Sequence, residues 1–333
     1  MRALQITSAV ANVCVLCFAV LYAIDAFGSL ERPLQDDMRS LPLGLFSVAV
    51  VGTVITSTLL RRPVEEGVPL GQIVDELETD LFRAARVQAE LLADEVLELE
   101  EFEFAAVCIP AGKVGGDFYD WTETPTGNVA VTLGDVMGRG MPAALVMATT
   151  RAVVRATCRE NPPAQAMNLA AHILEEDLLR SASFVTLFHA QLDVVNRCVS
   201  YVDAGHGHAL VMRGDGTWEE LRESGLPLGI LAEEEYREGS VVLNPGDALI
   251  VFSDGLVETH SVSTPGVATV AAQLQGATSA ADMVNTLAGS AQSLGTPADD
   301  LSVMALYCHG VLGTEPLPRS STSRDTINRF KRE

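Results

Sequence analysis

Residues 4–24 and 41–60 form two runs with no charged side chain. Each is about 20 residues, the length a helix needs to cross a hydrocarbon core. The stretch between them is short and polar, and contains Asp25, Glu31, Arg32, Asp36, Asp37 and Arg39. Arg2 precedes the first run, and Arg61 and Arg62 close the second. Basic residues collect on the cytoplasmic side of a span, so residues 1–62 are expected to form a transmembrane hairpin with both ends inside. A cleaved signal peptide followed by one anchor fits less well. The first run is long for a signal core, and no A-x-A-like cleavage site follows it. The expected location is the cell membrane, multi-pass, with the remaining chain cytoplasmic.

The pattern then changes. Residues 63–71 read as a linker with Pro, Gly and acidic side chains. From 72 to 100 the spacing is helical, with Val74, Leu77, Leu81, Ala84, Gln88 and Leu91 recurring at intervals of three and four. This periodicity suits a short parallel coiled coil that would make a homodimer. It suits equally an amphipathic helix packed on the next domain, and the polar Gln88 interrupts the seam. Residues 63–100 are therefore read as a linker and regulatory helix between membrane and domain.

Residues 101–308 alternate strand-like and helix-like segments. Strands are expected at 102–109, 129–133, 184–192, 198–202 and 301–307. Hairpins are expected across 193–197, across Gly214-Asp215-Gly216, and across Asn244-Pro245-Gly246-Asp247. Helices are expected at 143–159, where Pro142 falls in a tolerant first turn, and at 162–179, 267–274 and 280–294. Antiparallel hairpins beside four helices indicate an α+β domain in layers, not a doubly wound parallel sheet. The polar tail 309–333, rich in Ser, Thr, Pro and Arg, has the composition of a disordered segment.

Charge and cysteine usage narrow the partners. Forty-four acidic residues against 22 basic ones give a formal charge of −22, which leaves no basic stripe for nucleic acid. The six cysteines, at 14, 17, 108, 158, 198 and 308, have no framework spacing, as befits a reducing compartment.

The candidate chemistry lies in Val114-Gly115-Gly116-Asp117-Phe118-Tyr119-Asp120, Leu133-Gly134-Asp135-Val136-Met137-Gly138-Arg139-Gly140, Ile250-Val251-Phe252-Ser253-Asp254-Gly255 and the pair Asp299-Asp300. Each brings a carboxylate to a strand end or glycine turn, without Cys or paired His. Oxygen donors of this kind suit Mg²⁺ or Mn²⁺ and point to metal-dependent phosphoester hydrolysis. Three carboxylates meeting without counter-cations would repel, and cations would relieve that repulsion. Arg139 is a candidate for holding a phosphate. The Gly138-Arg139-Gly140 loop lacks the Gly-Lys-Ser/Thr of a P-loop. His206 and His208 read as packing or hydrogen-bonding residues, and Ser253 sits in no Gly-x-Ser-x-Gly elbow.

With Ala204-Gly205-His206, Gly225-Leu226-Pro227-Leu228-Gly229 and Asp299-Asp300-Leu301-Ser302-Val303, six collinear motifs between 102 and 307 make the chain resemble the SpoIIE/RsbU-type bacterial branch of the PPM (type 2C) serine/threonine phosphatases. The resemblance implies a two-layer antiparallel β-sandwich flanked by helices, with two divalent ions, Mn²⁺ or Mg²⁺, in a cleft at one end. It implies Asp117 as the bridging ligand, the Phe118 carbonyl beside it, and Asp254 and Asp299 as further ligands. Those ions would ready a water for in-line attack on phosphorus. Asp135 is either a water-mediated ligand or a structural turn residue. Asp300 and Asp120 are read as supporting residues. The implied substrate is a phosphoserine or phosphothreonine on an anti-anti-sigma (STAS-like) regulatory protein. The alternative is a catalytically silent membrane docking protein that keeps the fold.

Overall fold

The structure is a computed structural model that describes residues 70–93, 96–221, 224–259, 266–295 and 298–309, together with Val50, Gly52 and Thr53. The expected transmembrane runs lie outside the described residues except for those three, and so does the tail beyond His309. No helix among the described residues is long and apolar enough to cross a membrane. The chain divides into two compact units, residues 1–75 and 76–333, and the description that follows concerns the second.

Helix α1 (Leu70–Leu91) leads into it, followed by strands β1 (Val96–Glu98), β2 (Phe102–Ile109), β3 (Phe118–Glu123) and β4 (Val129–Val136). Helices α2 (Gly140–Thr157) and α3 (Pro163–Ser181) come next. The strands β5 (Val185–Asp193), β6 (Cys198–Ala204), β7 (Ala209–Met212), β8 (Trp218–Glu220), β9 (Ser224–Gly225), β10 (Gly239–Val242) and β11 (Ala248–Phe252) follow. The short helix α4 (Asp254–Thr259), α5 (Val267–Gln273), α6 (Ala280–Ser293) and strand β12 (Leu301–Cys308) complete the order.

Two six-stranded sheets result. One runs β1-β2-β12-β11-β7-β8; the other runs β10-β6-β5-β4-β3, with β9 added in parallel beside β6. All other neighbours pair antiparallel. The central strands are buried on both faces, so they read as continuous apolar runs instead of alternating ones. In β12, Met304, Leu306 and Cys308 point between the sheets, while Leu301, Val303 and Ala305 pack under α5 and α6. In β4, Val129, Val131 and Leu133 point between the sheets, and Ala130 and Val136 pack under α2 and α3. The result is a helix–sheet–sheet–helix sandwich, the α+β class expected from the sequence.

Three expectations change, and one of two open alternatives is met. The helix ends at Leu91, not near 100, because residues 96–98 pair with β2 as an edge strand. Of the seam positions, Gln88 is buried and Leu81 and Ala84 are half-buried, so this part of α1 packs on the domain. Ile73, Val74, Leu77, Phe82 and Val87 remain exposed. The turn at 244–247 does not close a hairpin. β10 joins β6 in one sheet and β11 joins β12 and β7 in the other, so the chain changes layers there. Asp247 holds this crossing, accepting from the backbone of Asn244 and Gly214 and from Arg213. Finally, β4 continues through Asp135 to Val136, paired with Thr186 and Val185, so Asp135 is a strand residue. The cysteines at 108, 158, 198 and 308 are free thiols.

Asp120 is buried beneath α2 and accepts from Arg155 at 2.7 Å and Arg151 at 3.3 Å. Burial pushes its carboxyl up, with the two guanidinium groups acting against that. This cluster pins β3, which begins one residue after Asp117, to the helix that follows the glycine loop. Asp120→Asn strands two arginines at this interface, although Arg155 is partly solvated. The expected loss is about 2 kcal/mol, read as a fall of about 4–8 °C in melting temperature.

Candidate active site

At one end of the sandwich, the start of β3, the end of β4, the end of β11 and the start of β12 meet. Each delivers an aspartate. Asp117 precedes β3 and is 1% exposed; Asp135 is the penultimate residue of β4; Asp254 opens α4; Asp299 and Asp300 precede β12. Phe118, whose carbonyl the resemblance implied as a ligand, is the first residue of β3 and pairs with Gly134.

Asp300 organises the turn that carries Asp117. One of its oxygens accepts from Ala111 N at 2.8 Å, and the other from Gly116 N at 2.6 Å and Asp117 N at 3.4 Å. The approach is close enough that a Cβ on Gly115 would collide with the Asp300 carboxylate, which is why glycine is required there. Ser253 locks the neighbouring strand end. Its backbone N–H donates to Ser302 O, and its hydroxyl accepts from Ser302 N at 2.9 Å and donates to Asp300 O at 3.2 Å. The other side of the turn is held by α1. Gln88 Nε2 donates to Gly115 O at 2.7 Å, and its Oε1 accepts from Gly115 N at 3.1 Å.

The electrostatics are those of crowded carboxylates. Burial, then the charges of Asp135 and Asp300, push Asp117 well above the usual range; the Ser302 and Ser253 hydroxyls act against this. Asp135 is pushed up to about 6, first by burial and then by Asp254, with Asp299 and Asp300 adding to it and a hydrogen bond with Asp117 opposing. The Asp117 Oδ2 atom is buried without a hydrogen-bond partner. A buried carboxylate oxygen lacking any donor, surrounded by other carboxylates, is what a cation would satisfy. The donor set is all oxygen, the preference of Mg²⁺ and Mn²⁺. As the side chains stand, no three acidic, His or Cys groups among the described residues close around a single point. Asp117, Asp135, Asp254 and Asp299 are the residues that could hold such ions.

Asp299 is not idle. Its Oδ1 accepts from Asp300 N and its Oδ2 from Arg139 Nη2, both at 2.9 Å. Arg139, the candidate phosphate-holding residue, thus lies against an expected ligand. His206 is structural. Its Nε2 bonds to Phe252 O at 2.9 Å, its backbone N–H donates to Asp203, and burial lowers it to about 3, which keeps the ring neutral. His208 stacks on Phe252 with ring centres 5.4 Å apart.

Without a cation, the raised carboxyls set a pH dependence. Asp135 titrates near 6 in the fold against an ordinary 3.8, so its contribution is complete below about pH 4. The contribution is lost as pH rises through 6. The chelated protein is expected to be less stable at pH 7.5 than at pH 5, by about 1.4 kcal/mol from this group. Added Mn²⁺ is expected to flatten that slope in thermal melts.

Two antiparallel sheets between helix layers, with aspartates gathered at one end, define the PP2C phosphatase fold. The SiaA-PP2C domain of Pseudomonas aeruginosa superposes with a TM-score of 0.60 at 18% identity, covering 71% of this chain and 98% of that one. RsbX, solved in complex with magnesium, superposes at 0.52 with 16% identity, covering 64% and 98%. The chain itself belongs to the SpoIIE family: the model described as Stage II sporulation protein E (SpoIIE) matches residues 125–309, more than half of the sequence. Asp117 lies just ahead of the matched stretch, and the Asp300 hydrogen bonds join it to the site. Phosphoserine phosphatase RsbU of Bacillus subtilis is 28% identical over 199 residues, 59% of this chain. The match covers 59% of RsbU's own length.

Proposed function

We propose that the chain is a membrane-anchored, metal-dependent phosphatase that removes phosphate from a serine or threonine of a regulatory protein. The observation that carries this reading is the convergence of Asp117, Asp135, Asp254 and Asp299 at one sandwich end, with a buried oxygen of Asp117 left without a donor. A scaffold has no use for repelling charges held in that way. The name of the related RsbU supports phosphoserine, and magnesium in RsbX supports a divalent ion. The anti-anti-sigma kind of substrate follows from the family resemblance alone.

Bound at these aspartates, Mn²⁺ or Mg²⁺ would polarise the phosphoryl group and make a water acidic enough to attack at neutral pH. Asp117 holds the centre of the site, and Asp254 and Asp299 hold its rim. Ser253 and Ser302 tie the ends of β11 and β12 together beneath it, and Asp300 ties that edge to the turn that leads into β3. Helix α1 joins the preceding segment to the Gly115 turn through Gln88, so it is the place for control; a homodimer through its exposed apolar face is one form that control takes. Residues 4–24 and 41–60 supply the membrane anchor in this proposal, with the domain on the cytoplasmic side.

The test is hydrolysis of p-nitrophenyl phosphate by the full chain with Mn²⁺, with Mg²⁺ and with chelator, beside Asp254→Asn. Cation-dependent turnover lost in the variant is the expected result. No turnover in either protein, with the fold intact, would favour the silent docking protein. Fractionation of expressing cells checks the anchor, which predicts recovery with the membranes.

A further inference from the structure

We propose that Arg139 is an exchangeable counter-ion: in the metal-free site its guanidinium occupies Asp299 in place of a cation, and the guanidinium freed by metal loading receives the phosphate of the substrate. This rests on the phosphatase reading above.

Both oxygens of Asp299 are already engaged. Oδ1 is tied into its own turn by the backbone N–H of Asp300, and Oδ2 is taken by Arg139. A cation that approaches Oδ2 meets the positive guanidinium there, so the two compete for the same oxygen. The pair is built to be displaced. The arginine side chain is 64% exposed and the aspartate 30%, so its grip is worth no more than about fivefold in an equilibrium constant. The buried Asp120 pairs farther along α2 are a different matter, since there the aspartate is only 5% exposed.

The backbone around Arg139 has room to follow. Gly138 and Gly140 on either side adopt φ of +101° and +71°, and a Cβ at either would meet nothing within 4 Å. The loop is therefore set by its backbone angles and not by packing. Arg139 stands at the start of α2 in extended conformation, and its side chain does not cap the helix. Released from Asp299, it stays at the rim of the carboxylate cluster. A planar guanidinium there matches a phosphate dianion with paired donors. One side chain then links the two ligands, so cation and phosphate each tighten the binding of the other.

The experiment measures Mn²⁺ affinity of the full chain from the electron paramagnetic resonance signal of free Mn²⁺, without turnover. Arg139→Gln is expected to tighten Mn²⁺ binding about three- to fivefold, and to have no such effect on an Asp299→Asn background. Inorganic phosphate is expected to tighten Mn²⁺ binding to the unmodified chain but not to Arg139→Gln. Lys113→Gln removes a nearby charge that lies over the Phe82 ring, and is expected to leave Mn²⁺ affinity unchanged. Equal tightening in Lys113→Gln and Arg139→Gln would reduce the effect to bulk charge and overturn the competition. Unchanged or weakened binding in Arg139→Gln overturns it too. Failure of the unmodified chain to bind Mn²⁺ would overturn the metal-site reading itself, a distinct result.

Discussion

Asp117→Asn is expected to abolish cation-dependent hydrolysis, with a loss of about a thousandfold or more, while raising the stability of the metal-free protein. The two effects share one cause. Asp117 is buried, its carboxyl is pushed up by burial and by Asp135 and Asp300, and its Oδ2 has no donor. An amide in its place removes a charge that the empty site tolerates poorly, so the chelated variant melts higher than its parent at pH 7.5. The same amide is a poor ligand for a divalent ion. Several kcal/mol of charge stabilisation in the transition state depend on that ion, and each 1.36 kcal/mol is a factor of ten. Paired measurements decide the matter: melting temperature in chelator, and turnover in excess Mn²⁺. A variant that loses activity but melts lower would mean that Asp117 is held by the fold as a structural group.

The second large effect lies outside the carboxylates. Gln88→Ala removes both hydrogen bonds to Gly115 and leaves a buried N–H and C=O without partners. The turn that presents Asp117 then loses about 2 kcal/mol of anchoring. If only the anchored turn is competent, its equilibrium constant falls about thirtyfold and the rate falls by up to that factor. Excess Mn²⁺ is expected to recover part of this, because a cation binds only the formed turn and draws the population back. Asp117→Asn shows no such recovery, and titration with Mn²⁺ separates the two variants. Unchanged activity in Gln88→Ala would disconnect α1 from the chemistry.

The sequence carries the sandwich legibly because its strands and helices have strong local signatures, such as the continuous apolar run of β12 and the Pro-led start of α3. The chemistry-bearing aspartates were legible for another reason, since each sits beside glycine in a short motif. Long-range choices were not. Nothing local at Asn244-Pro245-Gly246-Asp247 reveals whether the strands on either side pair with each other or with partners in different sheets. That is decided by Asp247, whose acceptors are filled from Arg213 and Gly214, more than thirty residues away. The role of Asp300 depends on Ala111 and Gly116, which are distant in sequence. Arg139 gave no hint of its partner for the same reason. Gln88 did leave a trace, as the one polar residue in an otherwise apolar helical seam, and its partner turned out to be a main-chain turn and not a second helix.

The contact between Gln88 and Gly115 engages main-chain atoms alone on the receiving side. No exchange of side chain at 115 can therefore retune it, and the crowding by Asp300 forbids trying. Whatever adjusts how strongly the helix speaks to the centre has to be written into the helix. An engineer wishing to graft a different input onto this domain inherits a fixed socket and is free to redesign only the plug.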